Sequence, residues 1–295
     1  MVDLSEALPT ESVPPSNAGV LSEPESNAIK AGDLVLLWFE KKEISYLIEV
    51  APGKKVGIHV GKPLLVDDWI GRQYGTKVLC DHGEGYLLKP SMEDLMMKAS
   101  RESGIIYPKD AALLIMRAGI RSGDKVLEIG TGSGSLTMAL AQTVAPTGHL
   151  FTFDRREDLP KNAHKNIARA GLGEFVTFGQ RESRQPIPEK NFNAVILDIP
   201  TPWEEVEVLK DALLDGGRLV SLNPTFNQIE EMADTLQRHG FIQIQSCELL
   251  ERPILARRGK TRPVQRMVSH TEFMLFAIKP GCSFVASPRS LEVSE

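Results

Sequence analysis

At 295 residues with a formal net charge of −5, the chain has material for two domains and a large core, and it is not basic overall. No apolar run approaches the length needed to cross a bilayer, and the N-terminus lacks the basic-then-apolar stretch expected of a signal peptide. Cys80, Cys247 and Cys282 are scattered without a C-x-x-C, and the six histidines are dispersed. That pattern argues against a disulfide framework and against a metal site, and suits a reducing cytoplasm.

In chain order, residues 1–29 come first, rich in Ser, Pro and Glu. They hold Asp3, Glu6, Glu11, Glu23 and Glu25 and no Lys or Arg. They read as a disordered acidic arm, and without them the chain is formally neutral and free to carry a basic face. Residues 30–90 predict a small all-β domain. Its β-prone runs are Leu34–Phe39, Ser45–Val50, Val56–Val60, Lys77–Cys80 and Tyr86–Leu88, punctuated by glycines. Residues 91–104 predict a helical linker. From 105 to 280, strands alternate with helical spacings, as a doubly wound sheet requires. The expected strands are Lys125–Ile129, His149–Phe153, Glu174–Phe178, Ala194–Asp198, Arg218–Leu222, Ile242–Leu249 and Phe273–Ile278, the last two as an antiparallel pair. The expected helices are Ser133–Ala145, Asp158–Ala170, Glu204–Leu214 and Gln228–His239. Residues 281–295 read as a flexible tail.

Residues 125–136 are the most informative run. An apolar strand leads into Gly130-Thr131-Gly132-Ser133-Gly134-Ser135-Leu136 and then a helix. In open α/β sheets ligands bind where strands end and helices begin. The spacing is not that of the dinucleotide fingerprint, because Ser135 falls where the third glycine would stand. Glu128 would also sit badly beside a pyrophosphate. It suits a cationic cofactor, such as the sulfonium and amino group of S-adenosylmethionine. Asp154 closes the next apolar strand, where a carboxylate can accept both ribose hydroxyls. Glu128, the glycine turn and Asp154 together resemble the class I methyltransferase pattern. The expected architecture is therefore α/β and Rossmann-like, with a seven-stranded, mostly parallel sheet behind the small β domain.

A second motif ends the fourth strand: Leu197-Asp198-Ile199-Pro200-Thr201-Pro202-Trp203-Glu204. The prolines are expected to keep this loop from becoming a helix. In this fold that strand end faces the transferable methyl. Asp198 is a candidate catalytic carboxylate, with a helix cap as the plain alternative.

With Ile106-Tyr107-Pro108-Lys109-Asp110 before the sheet and Met267-Val268-Ser269-His270-Thr271 before its last strand, the chain resembles the tRNA adenine-58 N1-methyltransferases over residues 30–280. The resemblance implies methyl transfer from S-adenosylmethionine to N1 of adenine 58 in the tRNA T-loop, with position 57 open, by a homotetramer. It aligns Asp198 with the catalytic aspartate, and Ser133 to Leu136 and Asp154 with cofactor contacts. Gln180 sits where many members have an acid touching the cofactor adenine. Leu222 stands where many have an aromatic, so another base platform is needed, and Tyr107 is the candidate. Tyr107 is equally readable as a half-buried aromatic at a domain junction. Trp203 is a candidate base contact and also an ordinary core indole, and His270 is better read as a structural histidine. Arg252, Arg257, Arg258, Lys260, Arg262 and Arg266 form an acid-free basic segment suited to the RNA backbone, read as an extended loop. Lys41, Lys42, Lys54, Lys55 and Lys62 are a weaker basic set. Two other readings stay open: a non-catalytic tRNA-binding subunit on the same fold, and a class I methyltransferase with a protein or small-molecule substrate. The intact Glu128, glycines and Asp198 favour the enzyme.

Overall fold

Alternating apolar residues build the first sheet. In the computed structural model, which describes residues 27–57, 62–81, 83–101, 104–156 and 160–283, β1 (Leu34–Phe39), β2 (Ile44–Glu49), β5 (Lys77–Cys80) and β6 (Gly83–Leu88) pair antiparallel in the order β2-β1-β6-β5. A short hairpin of β3 (Lys55–Val56) and β4 (Leu64–Leu65) lies beside them. Val35, Leu37 and Phe39 alternate inward and pack on Ile48, Trp69 and Leu87. The expected arm at 1–26, the tail at 284–295 and most of the expected strand Val56–Val60 lie outside the described residues. Residues 27–29 correct the arm's boundary. Ile29 is buried in this core, and the Ile29 amide donates to the Arg72 carbonyl at 2.8 Å.

The stretch after β6 is more than a linker. α1 (Met92–Met97) opens with a capping box, in which Ser91 and Asp94 satisfy each other's backbone amides. Its Met96 is buried in the core of the larger domain.

That domain contains α2 (Pro108–Ala118), β7 (Lys125–Ile129), α3 (Ser135–Val144), β8 (His149–Asp154), α4 (Pro160–Arg169), β9 (Val176–Gln180) and β10 (Phe192–Leu197). It continues through α5 (Val206–Ala212), β11 (Leu213–Asn223), α6 (Phe226–Arg238), β12 (Ile242–Glu248), the β13 (Ile254–Leu255) and β14 (Arg262–Pro263) hairpin, and β15 (Phe273–Ile278). The seven-stranded sheet runs β12-β15-β11-β10-β7-β8-β9. β15 is antiparallel to both β11 and β12, and the other pairs are parallel. Central strands are apolar on both faces, as buried parallel strands must be. Val126, Ala194, Ile196, Val220 and Leu222 pack toward α2 and α3. Leu127, Val195, Leu197 and Leu219 pack toward α5 and α6.

Several boundaries differ from expectation for local reasons. Gly173–Phe175 forms a 3-10 turn, so β9 starts at Val176. Pro202 does not stop a helix. It opens a 3-10 turn, Pro202–Glu205, where its missing N–H costs nothing, and α5 follows. α5 ends at Ala212 because the chain already enters β11 at Leu213. α3 begins at Ser135, after Gly134 takes a left-handed conformation. Residues 252–266 form a small hairpin in place of an open loop. Its turn is closed by the Lys260 amide on the Arg257 carbonyl at 2.8 Å.

Candidate active site

The parallel order brings the C-terminal ends of β7, β8, β10 and β11 to one edge, together with the start of antiparallel β15. A cavity of about 360 Å³ opens there. Its wall includes the turn residues Gly130, Gly132, Ser133, Ser135 and Leu136, then Asp154 and Asp198. Two glycines of the turn answer to packing. A Cβ on Gly130, whose φ is +106°, would overlap the Asp198 carbonyl oxygen. The Asp198 amide in turn donates to the Ile129 carbonyl at 2.8 Å. The turn and the Asp198 loop are thus joined backbone to backbone. Gly134, with φ +77°, lets α4 approach, since its Cβ would stand 3.1 Å from the Cα of Ala163. It does not line the cavity.

Asp154 is buried at the end of β8. Its Oδ2 accepts the Gly132 amide at 3.1 Å and its Oδ1 the Arg156 amide at 3.0 Å. These bonds hold the carboxylate in place and leave lone pairs for a ligand. Asp198, half-buried, lines the same cavity, and burial followed by the Asp154 charge pushes its carboxyl up to about 6. Glu128 does not reach the wall. It is fully buried beneath the turn, and its Oε2 accepts the Thr137 and Thr152 hydroxyls at 2.7 Å each. Burial pushes its carboxyl up to about 8, so it is mostly protonated at neutral pH. The direct charge contact with a cofactor expected of Glu128 gives way to support of the turn from below, because its strand position points into the core.

A fourth acid was missed by sequence reading. Glu272, just before β15, lines the cavity, and burial followed by the Asp198 charge pushes its carboxyl up to about 7. An isolated acid ahead of a strand carries no local signal. Among the described residues, buried side-chain oxygens without a partner include Ser135 Oγ and Glu272 Oε2 on the wall and Glu128 Oε1 beneath it. Unpaired buried oxygens are costly unless a ligand meets them. A cavity rimmed by Asp154, Asp198 and Glu272 fits a polar, cationic ligand.

The other candidates are dispersed. Tyr107 caps α2 with its backbone and lines a separate cavity beside Met92 and Met96. Its motif has a structural task. Lys109 Nζ donates to Asp110 Oδ1 at 2.8 Å, to the Leu249 carbonyl at 2.7 Å and to Thr271 Oγ1 at 2.7 Å, and Thr271 Oγ1 bonds Asp110 Oδ2 at 2.7 Å. The Ile106–Asp110 and Met267–Thr271 segments are therefore one hydrogen-bonded unit. Gln180 is exposed and donates to the Arg155 carbonyl at 3.3 Å, away from the cavity wall. Trp203 packs half-buried against the α5 and α6 core. His270 bridges Glu248 Oε1 at 2.7 Å and the Pro224 carbonyl at 3.0 Å, as a structural histidine should. Arg252, Arg257, Arg258, Lys260, Arg262 and Arg266 are exposed on and around the β13–β14 hairpin, and none lines the cavity. Among the described residues no helix is long and apolar enough to cross a membrane.

Comparison with known proteins agrees with this fold. The family model for the tRNA methyltransferase complex GCD14 subunit matches residues 83–262. A Methanocaldococcus jannaschii protein named tRNA (adenine(57)-N(1)/adenine(58)-N(1))-methyltransferase TrmI is 34% identical over 221 residues, covering 66% of this chain and 78% of the relative. The Dictyostelium discoideum tRNA (adenine(58)-N(1))-methyltransferase catalytic subunit is 30% identical over 236 residues, covering 76% and 74%. Among solved structures, the tRNA (m1A58) methyltransferase TrmI of Aquifex aeolicus superposes with a TM-score of 0.75 at 28% identity, covering 87% of this chain and 100% of that one. A SAM-dependent O-methyltransferase of Thermotoga maritima gives 0.82 at 34% identity, covering 89% and 98%.

Proposed function

Because the chain belongs to the tRNA methyltransferase family of the GCD14 complex subunit and has the class I methyltransferase fold, we propose that it transfers a methyl group from S-adenosylmethionine to N1 of adenine 58 in the T-loop of tRNA. Adenine 57, named for the archaeal relative, is a further target. What most supports this reading is the backbone join between the glycine turn and Asp198. It holds a cofactor-type turn and a carboxylate at a fixed separation across one cavity.

When bound, S-adenosylmethionine supplies a methyl group on a positively charged sulfur. The residues suited to hold it are Gly130, Gly132, Ser133, Ser135 and Leu136 on the turn and the adjoining Asp154, whose free lone pairs suit ribose hydroxyls. The unpaired Ser135 hydroxyl is a ready partner. Glu128 and Gly134 act through the turn's shape. Adenine N1 is a neutral nucleophile with an available lone pair, so orientation supplies most of the rate. Asp198 accepts a hydrogen bond from the adenine amino group and stabilises the positive charge that methylation leaves on the base. The target base must leave its stack, at a cost of a few kcal/mol. Arg252, Arg257, Arg258, Lys260, Arg262 and Arg266 offset that cost by gripping the backbone. A homotetramer in the cytoplasm is the assembly and location that go with this reading, and sedimentation tests the first.

The deciding experiment incubates the protein with unmodified tRNA and methyl-labelled S-adenosylmethionine and maps the product nucleosides by mass spectrometry. Label in 1-methyladenosine at position 58 is expected. Transfer to a nucleoside other than adenosine 58 or 57 overturns the assignment. Cofactor binding without transfer, or no binding by calorimetry, points to the non-catalytic subunit.

A further inference from the structure

The sheet order divides the cavity into two halves. β7 and β8 bring the glycine turn and Asp154, and β10, β11 and β15 bring Asp198, Leu222 and Glu272. β15 lies beyond β11, on the side of β10 away from β7. Glu272 therefore stands in the half that the cofactor turn leaves open. Side chains alternate across a sheet. Ala194, Ile196, Val220, Leu222, Met274 and Phe276 share one face in a single core cluster. Asp198 and Glu272 continue that alternation from β10 and β15, so both carboxyls reach the same face of the strand tips. Their proximity is felt electrostatically, since the Asp198 charge is among the causes that raise the Glu272 carboxyl.

The residues before Glu272 are fully engaged. Thr271 is bonded to Asp110 and Lys109, and His270 to Glu248 and the Pro224 carbonyl. Glu272 Oε2 is buried without a partner. The two residues before it are thus tied down, while Glu272 lines the cavity with one carboxylate oxygen short of a donor. An incoming N–H recovers the cost of burying that oxygen.

We propose that Glu272 is a specificity-determining residue that accepts a hydrogen bond from the exocyclic amino group of the target adenine, beside Asp198. This rests on the adenine-N1 reading above. The amino group has two N–H bonds, one toward N1 and one toward N7, and one carboxylate for each satisfies both. Guanine turns a carbonyl oxygen to the same place, which leaves acceptors facing acceptors, and a site built to bond an N–H rejects such an analogue strongly. Methylation leaves positive charge shared with the amino group, so a second carboxylate also favours the product-like base.

The test compares wild type with Glu272→Ala and Glu272→Gln, the second filling nearly the same volume so that a folding defect cannot be mistaken for the removal of a hydrogen bond. Methylation of unmodified tRNA by the wild type checks the adenine-N1 reading by itself. For Glu272→Ala, kcat/KM on that tRNA falls about 10- to 100-fold, as expected when a charged hydrogen bond is removed, with Glu272→Gln between. The calorimetric Kd for S-adenosylmethionine changes less than about twofold. The tRNA Kd is then measured with S-adenosylhomocysteine present, for transcripts carrying adenine or unsubstituted purine at position 58. The wild type prefers adenine, and that preference shrinks in Glu272→Ala. An undiminished preference, wild-type kcat/KM in both variants, or a loss of cofactor affinity as large as the loss of activity overturns the proposal. The last result assigns Glu272 to the cofactor.

Discussion

Asp198 is held by its main chain. Its amide is bonded to Ile129 and its carbonyl lies where a Cβ of Gly130 would be, so the side chain can be changed without disturbing its setting. Asp198→Ala is expected to keep cofactor affinity within about twofold and to lower methyl transfer about 100-fold or more, read by calorimetry and single-turnover kinetics. Because the carboxyl must be ionised to stabilise charge and sits at about 6, kcat/KM falls as pH drops through about 6. In Asp198→Asn the part of that limb near pH 6 is lost, and a fall remaining near pH 7 belongs to Glu272. Gly130→Ala places a methyl against the Asp198 backbone at φ +106° and is expected to cost about 3 kcal/mol or more in unfolding free energy.

Between elements, two ties matter. Asp110 and Lys109 fasten the start of α2 to the end of β12 and to the residue before Glu272, with both side chains nearly inaccessible, 0% and 10% exposed. Breaking a buried pair leaves an uncompensated charge, so Asp110→Ala is expected to cost about 3–5 kcal/mol in chemical denaturation. The basic hairpin behaves differently. Its side chains are exposed, and the approach of Arg257 to Glu43 of the β domain, at 4.0 Å, adds little stability. Changing Arg257 and Arg258 together to Ala leaves melting unchanged and weakens tRNA binding. It also reduces the slope of log Kd against log salt by about 1 for each phosphate that is no longer neutralised. An unaltered slope removes the hairpin from the RNA interface.

For the molecule as a whole, the crowded acids set a pH signature. Glu128, Glu272 and Asp198 stand at about 8, 7 and 6, above their ordinary values of 4.5, 4.5 and 3.8. Each holds its proton to a higher pH in the folded protein than in the unfolded chain. The folded state therefore binds more protons across that window, and stability falls as pH rises from about 4 to 8. Tm is expected to drop by several degrees between pH 5 and pH 8. Glu128→Gln flattens the upper part of the curve. Burial is the main cause of all three shifts and repulsion among the acids adds to it; a bound cation offsets that repulsion, so S-adenosylmethionine raises Tm more at pH 8 than at pH 5.

Period-two and period-3.6 patterns encode each element locally, so the parallel sheet, the antiparallel last pair, the glycine turn and the acids closing β8 and β10 were readable along the chain. The sequence by itself located the glycine turn and the Asp198 loop, because both are strand-end signals spelled in contiguous residues. Which strand ends become neighbours is decided only when the sheet assembles. That step brought Glu272 to the same cavity as Asp198, made Lys109 and Asp110 an anchor for Thr271, and withdrew Glu128 beneath the turn. None of these has a local signature, because each joins residues far apart in sequence and is fixed by strand order and by the face each side chain takes.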